Sequence, residues 1–150
     1  MTNIFLIYVS NRTDPNDAML VRDIAIEASQ NNSSLGVSGI LMVVGSSFLQ
    51  VLEGEEDVVD RLLNKIDQDS RHTDIRVIYR GTLPDRIFGR WSMGCVQSAG
   101  KLAQMDSPLK VIQAQVEDLC KDLTQEKGEK LRDLIVKIPK LLTDDKLVVE

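Results

Sequence analysis

Ser47-Phe48-Leu49-Gln50-Val51-Leu52-Glu53-Gly54-Glu55 reads as a strand that carries an amide through apolar surroundings. Phe48, Leu49, Val51 and Leu52 favour a pleated, buried surface. Alternate residues of a strand share a face, so Phe48, Gln50 and Leu52 look one way and Leu49 and Val51 the other. Both faces are apolar, and Gln50 is flanked by apolar neighbours on its own face. A buried amide without a partner costs roughly 1–3 kcal/mol, so something must hydrogen-bond it. Taken alone, Gln50 reads first as a core amide satisfied by backbone or water, and second as a functional group.

Working outward, Ile4-Phe5-Leu6-Ile7-Tyr8-Val9-Ser10 repeats the pattern. Ile4, Leu6, Tyr8 and Ser10 share one face; Phe5, Ile7 and Val9 share the other. A buried Tyr usually finds a partner for its O–H, which makes Tyr8 an ordinary core residue on this evidence alone. After a polar loop, Asp14-Pro15-Asn16-Asp17 is a helix start signal. Leu20, Ile24 and Ala28, with Val21 and Ala25 beside them, give that helix one apolar stripe. It is expected to end in Gln30-Asn31-Asn32-Ser33-Ser34, residues that favour turns. Asn31 and Asn32 read as turn residues, or as amide edges that match a donor–acceptor pattern on a ligand.

Gly36 opens a second strand, Val37 to Val44, and Gly45-Ser46 is a hairpin signal leading to the Gln50 strand. Gly54-Glu55-Glu56-Asp57 starts a second helix with acids at its positive end. Its apolar face is Val58, Val59, Leu62, Leu63 and Ile66, and it closes near Asp69-Ser70-Arg71-His72. Arg71-His72 reads as a cationic helix end or as a contact for a phosphate. Ile75, Val77 and Tyr79 alternate with Arg76, Ile78 and Arg80 in a fourth strand. After a turn at Pro84, Trp91, Met93, Cys95 and Gln97 alternate with Ser92, Gly94 and Val96 in a fifth. Trp91 and Met93 read as core filler.

The order β-α-β-β-α-β-β is a split βαβ pattern, so the expected class is α+β, a ferredoxin-like five-stranded sheet with two helices on one face. The other face needs a cover. Ser107-Pro108 starts a helix whose seam is Leu109, Ile112, Val116, Leu119 and Leu123. Gly128 is expected to interrupt, and Leu131, Leu134, Ile135 and Ile138 form a second stripe that ends at Pro139. These C-terminal helices suit two tasks of equal weight, covering the sheet or joining a second copy of the chain. The expected division is a sensory unit over 1–98 and a helical cap, oligomerisation or output segment over 99–150.

The chain has 150 residues, 43% of them hydrophobic, with 23 acidic against 18 basic residues and a net charge of −5. One domain of this size buries about two-thirds of its unfolded surface. The acidic balance argues against nucleic acid and anionic membranes as partners. Cys95 and Cys120 offer neither metal spacing nor a disulfide framework, and His72 is the only histidine, so no metal site is expected. No signal peptide is read at the start, and the longest apolar run, Ile40 to Val44, is too short to span a bilayer. A reducing, cytoplasmic setting is the expectation.

Taken together, these residues resemble a BLUF domain, the blue-light sensors that use flavin. The resemblance covers about residues 3 to 97. It rests on Leu6-Ile7-Tyr8, Asn31-Asn32, Gly36-Val37-Ser38-Gly39, Phe48-Leu49-Gln50-Val51-Leu52-Glu53-Gly54, Asp69-Ser70-Arg71-His72 and Trp91-Ser92-Met93. Each piece is weak; six in order and in register are strong. The resemblance implies a photoreceptor and not an enzyme, with the flavin ring between the two helices. FAD comes first and FMN second, and the residues themselves do not separate them.

By the resemblance, Tyr8 is the light-driven electron and proton donor. Gln50 is the switching amide between Tyr8 and the flavin N5 and C4 carbonyl. Asn32 binds the ring's C4 carbonyl and N3–H edge, with Asn31 beside it. Arg71 reaches the pyrimidine side and His72 the ribityl phosphate region. Ile24, Phe48, Leu52 and Ile66 wall the ring, and Leu41 and Asp69 line the pocket. Trp91 and Met93 are alternates that move as the signal passes to strand five. Ala28 departs from the pattern, since many members carry a serine there. The implied partners are a second copy of the chain and a downstream protein or output domain. Two other classes fit the residues less well. A small flavin-dependent oxidoreductase would want a dinucleotide-binding glycine turn, which is not seen; a ligand-free ferredoxin-like interaction module would be a colourless protein that takes up no flavin.

Overall fold

In the computed structural model, β3 (Ser47–Glu55) is the middle strand of a five-stranded sheet. The structure describes residues 2–12, 18–44, 47–82, 84–89, 94–96, 114–116, 118–121 and 126–141. Around β3 stand β1 (Asn3–Arg12), β2 (Ser38–Val44), β4 (His72–Thr82) and β5 (Gly94–Val96), in the order β4-β1-β3-β2-β5. The helices are α1 (Ala18–Leu35), α2 (Glu56–Asp67), α3 (Glu126–Ile135) and the short α4 (Ile138–Leu141), with helical stretches also at 114–116 and 118–120. The α+β class and the order of the first seven elements are those expected from the sequence. Pairing is antiparallel except between β2 and β5, which run parallel from Ile40↔Gly94 to Met42↔Val96. Among the described residues, no helix is long and apolar enough to cross a membrane.

The two-residue period of β1 and β3 divides the core into two layers. Ile4, Leu6, Tyr8, Leu41, Val43, Phe48 and Leu52 pack with Ile24 of α1 and with Val59 and Leu62 of α2. Phe5, Ile7, Val9, Ile40, Met42, Leu49 and Val51 face the opposite way, against Phe88, Val116, Leu131, Ile135 and Ile138. Both faces of the central strands are therefore dry, which is why neither reads as hydrophobic-in, polar-out. Each of those C-terminal aliphatic side chains is fully buried, and such burial is worth about 1.5–3 kcal/mol apiece. The Val116 and Leu119 part of the expected seam thus packs on the sheet; Leu109, Ile112 and Leu123 lie outside the described residues, as does the helix start at 14–17.

Three sequence expectations are corrected. The first helix does not end at Gln30–Ser34 but runs to Leu35. Its stop is Gly36, at φ +70, with Gly36 N–H donating to the Ser33 carbonyl at 3.4 Å and Val37 N–H to the Asn32 carbonyl at 2.9 Å. That pair of bonds is the Schellman cap, which needs a left-handed residue and satisfies the last carbonyls. A well-made cap outweighs the weak propensity of the Asn and Ser residues before it.

Gly128 does not interrupt a helix; it lies inside α3. A side chain there would overlap the Ile78 carbonyl oxygen. Ile78 is the residue skipped where the β1–β4 register passes from Ile7↔Tyr79 to Tyr8↔Val77. A bulge leaves its extra residue out of the ladder, and the glycine lets α3 settle against that carbonyl. Pro139, read as a stop, lies within α4 instead. A proline is tolerated in the first turn, where its missing N–H would have no helical partner. The break falls earlier, at 136–137.

Candidate functional site

α1 and α2 each present one helical face to a common cavity. Ile24, Glu27, Ala28 and Asn31 come from α1 at i, i+3, i+4, i+7. Leu62, Lys65 and Ile66 of α2, with Asp69 just beyond it, repeat the same spacing. Asn32, Gln50 and Arg71 complete the lining. The cavity volume is about 70 Å³. Its floor is the Gln50 side of β3.

At that floor the Tyr8 hydroxyl donates to Gln50 Oε1. The two residues are directly opposite in the β1–β3 register, and both belong to the same face because their strands alternate in phase. Tyr8 is 0% and Gln50 2% exposed. Burial pushes the Tyr8 phenol well above its ordinary value, and the negative charge of Asp69 pushes it further the same way. In the resting protein this phenol is neutral and keeps its proton. The bulge at Ile78 falls between Ile7 and Tyr8 on the flanking strand pair.

The polar residues of the rim are held in a network. Arg71 Nη2 pairs with Asp69 Oδ2 at 2.6 Å, Arg71 Nε with Asp69 Oδ1 at 3.0 Å, and Arg71 Nη1 with Glu27 Oε2 at 3.1 Å. The Arg71 backbone N–H also donates to Asp69 Oδ1 at 3.0 Å. The Asp69 hydrogen bonds above all, and then Glu27, hold the guanidinium still more firmly in its charged form, against the opposing effect of burial. This loop after α2 is thereby fixed so that one cation faces the cavity mouth. Lys65 supplies a second.

Seven of the residues singled out in the sequence meet at this cavity: Ile24, Asn31, Asn32, Gln50, Ile66, Asp69 and Arg71. Tyr8 stands behind Gln50. Leu41, Phe48 and Leu52 do not line the cavity; they are fully buried in the layer between it and the sheet. His72 begins β4, paired with Arg12, and its side chain lies outside the described residues, as do Trp91 and Met93 altogether. Asn31 is exposed and Asn32 1% exposed, so the two neighbouring amides have different surroundings. Ala28, the position where the motif departs, contributes a methyl group to the lining.

Glu27, Leu62 and Lys65 were not singled out for the site. Their signal was present: Glu27 is four residues before Asn31, and Lys65 is four before Asp69. Extending the helical period from the named residues finds both.

Comparison with known proteins agrees with this geometry. The family model described as BLUF, sensors of blue-light using FAD, matches residues 4–94. The photoactivated adenylate cyclase subunit alpha of Euglena gracilis is 37% identical over 90 residues, 59% of this chain and 9% of that protein. The blue light- and temperature-regulated antirepressor BluF of Escherichia coli (strain K12) is 35% identical over 88 residues, 59% of this chain and 22% of that protein. The match thus spans a small fraction of these longer relatives. Among solved structures, BlsA in its photo-activated state aligns at a TM-score of 0.70 and 29% identity, over 96% of this chain and 97% of that one. BlrB, a BLUF protein in its dark state, aligns at 0.72 and 27%, over 91% and 97%.

Proposed function

This chain belongs to the BLUF family of blue-light photoreceptors that bind flavin, and on that premise we propose that Tyr8 and Gln50 form its light-driven relay. The observation that carries the reading is the buried hydrogen bond from Tyr8 Oη to Gln50 Oε1 at the floor of an amide-lined cavity. The residues present suit the cofactor. Asn31, Asn32 and Gln50 supply donor and acceptor ends for the edge of a flavin ring. Ile24, Leu62 and Ile66 supply apolar walls. At the mouth, Arg71 supplies a cation for the pyrimidine side of the ring and Lys65 one for a phosphate-bearing side chain. Asp69 and Glu27 hold Arg71 in place. FAD is the proposed cofactor, with FMN second; either would present phosphate to Lys65.

When bound, the flavin supplies blue-light absorption and, once excited, a strong demand for one electron. The chain's own residues do the rest. Tyr8 holds its proton in the dark because its burial disfavours phenolate. A phenol that loses an electron becomes strongly acidic, and the Tyr8 O–H already points at Gln50 Oε1, so its proton leaves along that bond. Gln50 carries both a donor and an acceptor end. It can take up the proton, and when electron and proton go back to Tyr8 the amide is left in another orientation or tautomer. Dark and lit forms then differ only in how the cavity wall is hydrogen-bonded, and the change reverses without a covalent adduct.

The output path proposed passes through Trp91 and Met93, the alternates just before β5 in the sequence, then β5 and the C-terminal helices. The signal is read by a second copy of the chain, a downstream protein or an output domain, and the chain acts as a sensor and not as an enzyme. The test is the absorption spectrum of the purified protein before and after blue light, with Gln50→Leu alongside. The expected result is bound oxidised flavin, a small red shift that decays in the dark, and a variant that binds flavin but does not shift. A protein that takes up no flavin refutes the photoreceptor reading. A normal shift with normal recovery in Gln50→Leu refutes the relay.

A further inference from the structure

Three residues beyond Gln50, on the opposite face of β3, Glu53 is a carboxylate only 1% exposed. A buried carboxylate is tolerated only when hydrogen bonds replace its water. Glu53 has such bonds, and they reach far along the chain. Oε2 accepts the Ile87 backbone N–H at 2.7 Å, and Oε1 accepts the Phe88 backbone N–H at 2.7 Å and the Ser38 hydroxyl at 3.1 Å. Arg86 Nη1 in turn donates to Ser38 Oγ at 3.3 Å. Ser38 is the β2 residue directly across the ladder from Glu53. Both amide bonds, at 2.7 Å, lie at the short end of the N–H···O range. One side chain therefore joins the middle strand, its β2 neighbour and the segment 84–89, whose Phe88 is fully buried against Phe5 in the C-terminal layer. Six residues after Phe88 the chain enters β5, which pairs with β2.

We propose that Glu53 is the positioning residue that couples β3 to the segment leading into β5, so that a shift of β3 at Gln50 is delivered to strand five. The proposal rests on the photoreceptor reading above. Glu53 does not touch the cavity, because residues 50 and 53 look to opposite faces of the sheet. It responds only to the backbone of β3. That backbone is held between β1 and β2 and is buried from Phe48 to Gly54, so β3 moves as a unit. The two amides of 87 and 88 follow because each donates to one oxygen of this carboxylate at 2.7 Å.

Glu53→Gln is the discriminating variant. Its volume is conserved, but one oxygen becomes an NH2 that meets a backbone N–H, donor against donor. Ser38→Ala removes the hydroxyl alone and leaves both amide bonds. The experiment is amide hydrogen exchange of the flavin-loaded full chain, in the dark and under blue light, with the absorption shift recorded on the same samples. In the wild type, the Ile87 and Phe88 amides should be protected in the dark, and light should change exchange at 87–88 and at 94–96. In Glu53→Gln, the 87–88 amides should exchange at least tenfold faster in the dark, and the light-minus-dark difference at 94–96 should vanish while the red shift remains. Ser38→Ala should keep that difference.

A purely structural role would speed exchange equally in dark and light and leave the difference at 94–96 in place; that result overturns the proposal. So does a wild type that shifts its spectrum with no light-dependent exchange at 87–96. Absence of any red shift in the wild type instead refutes the photoreceptor reading itself.

Discussion

Tyr8→Phe separates the two things the Tyr8 hydroxyl does. The ring stays in a site that is 0% exposed, among Ile4, Leu6, Phe48 and Leu52, so the apolar packing is retained. What goes is one O–H and its bond to Gln50 Oε1. A buried hydrogen bond contributes about 0.5–1.5 kcal/mol net, and an acceptor left short of a donor costs roughly 1–3 kcal/mol. Some of that is returned, because Phe has no hydroxyl to desolvate. The expected loss is about 1–2 kcal/mol. For a chain of this length each kcal/mol moves Tm by roughly 2–4 °C, so Tm should fall by roughly 2–8 °C. The photochemical effect has no such middle ground. A benzene ring offers no ionisable proton and is far harder to oxidise than a phenol. The flavin should still bind, since the Asn amides, the apolar walls and the cations are untouched. The red-shifted form should not accumulate. The assay is a thermal melt and a light-minus-dark absorption spectrum on the same flavin-loaded sample. A variant with a normal red shift and normal dark recovery would refute the relay, whatever its Tm.

Stability should also depend on pH in a way that belongs to Tyr8. Its phenol is raised above the ordinary 10.0 in the folded state, so its contribution is complete below about pH 10, where both states are protonated. It is lost as pH rises toward the folded value, because the unfolded chain ionises first, at about 1.4 kcal/mol per pH unit. Denaturant melts of wild type and Tyr8→Phe from pH 9 to 11 should converge by that slope, and parallel curves would contradict it. Gly128→Ala should lower stability by up to about 2 kcal/mol, since overpacking against the Ile78 carbonyl costs about 1–3 kcal/mol and the gain in helix propensity returns only ~1 kcal/mol. Denaturant titration checks it, and a variant more stable than wild type would show that α3 does not need the close approach.

Most of the sheet was legible because its rule is local. Alternation in residues 4–10 and 48–52 placed Tyr8 with Ile4 and Leu6, and Gln50 with Phe48 and Leu52; that the two groups share a face is what the β1–β3 register adds. Helical period likewise found Ile24 and Ile66, and the same period extended by one step reaches Glu27 and Lys65. What was not legible depends on atoms distant in sequence. Gly128 looks like a helix breaker until the Ile78 bulge, fifty residues earlier, gives it a carbonyl to approach. Asn31 to Ser34 look like a turn until Gly36 caps them as helix. Glu53 looks like a solvated charge next to a glycine, because its partners are backbone amides thirty-odd residues later, and backbone amides carry no sequence signature.

The same alternation that makes the strands readable also constrains how a signal can cross them. Tyr8 and Gln50 face the helical cavity, while Phe5, Glu53 and Val51 face the C-terminal layer. With both layers close-packed, a rotated amide on one face has no side chain through which to touch the other. Crossing the sheet requires displacing the β3 backbone. A strand buried along its length and paired on both sides resists local bending, so displacement at residue 50 is carried to residue 53. There the short bonds of one carboxylate pass it to segment 84–89 and so toward β5 and the layer containing Val116 and Leu131. On this view the buried carboxylate holds two backbone amides at once, which an apolar residue in its place could not do.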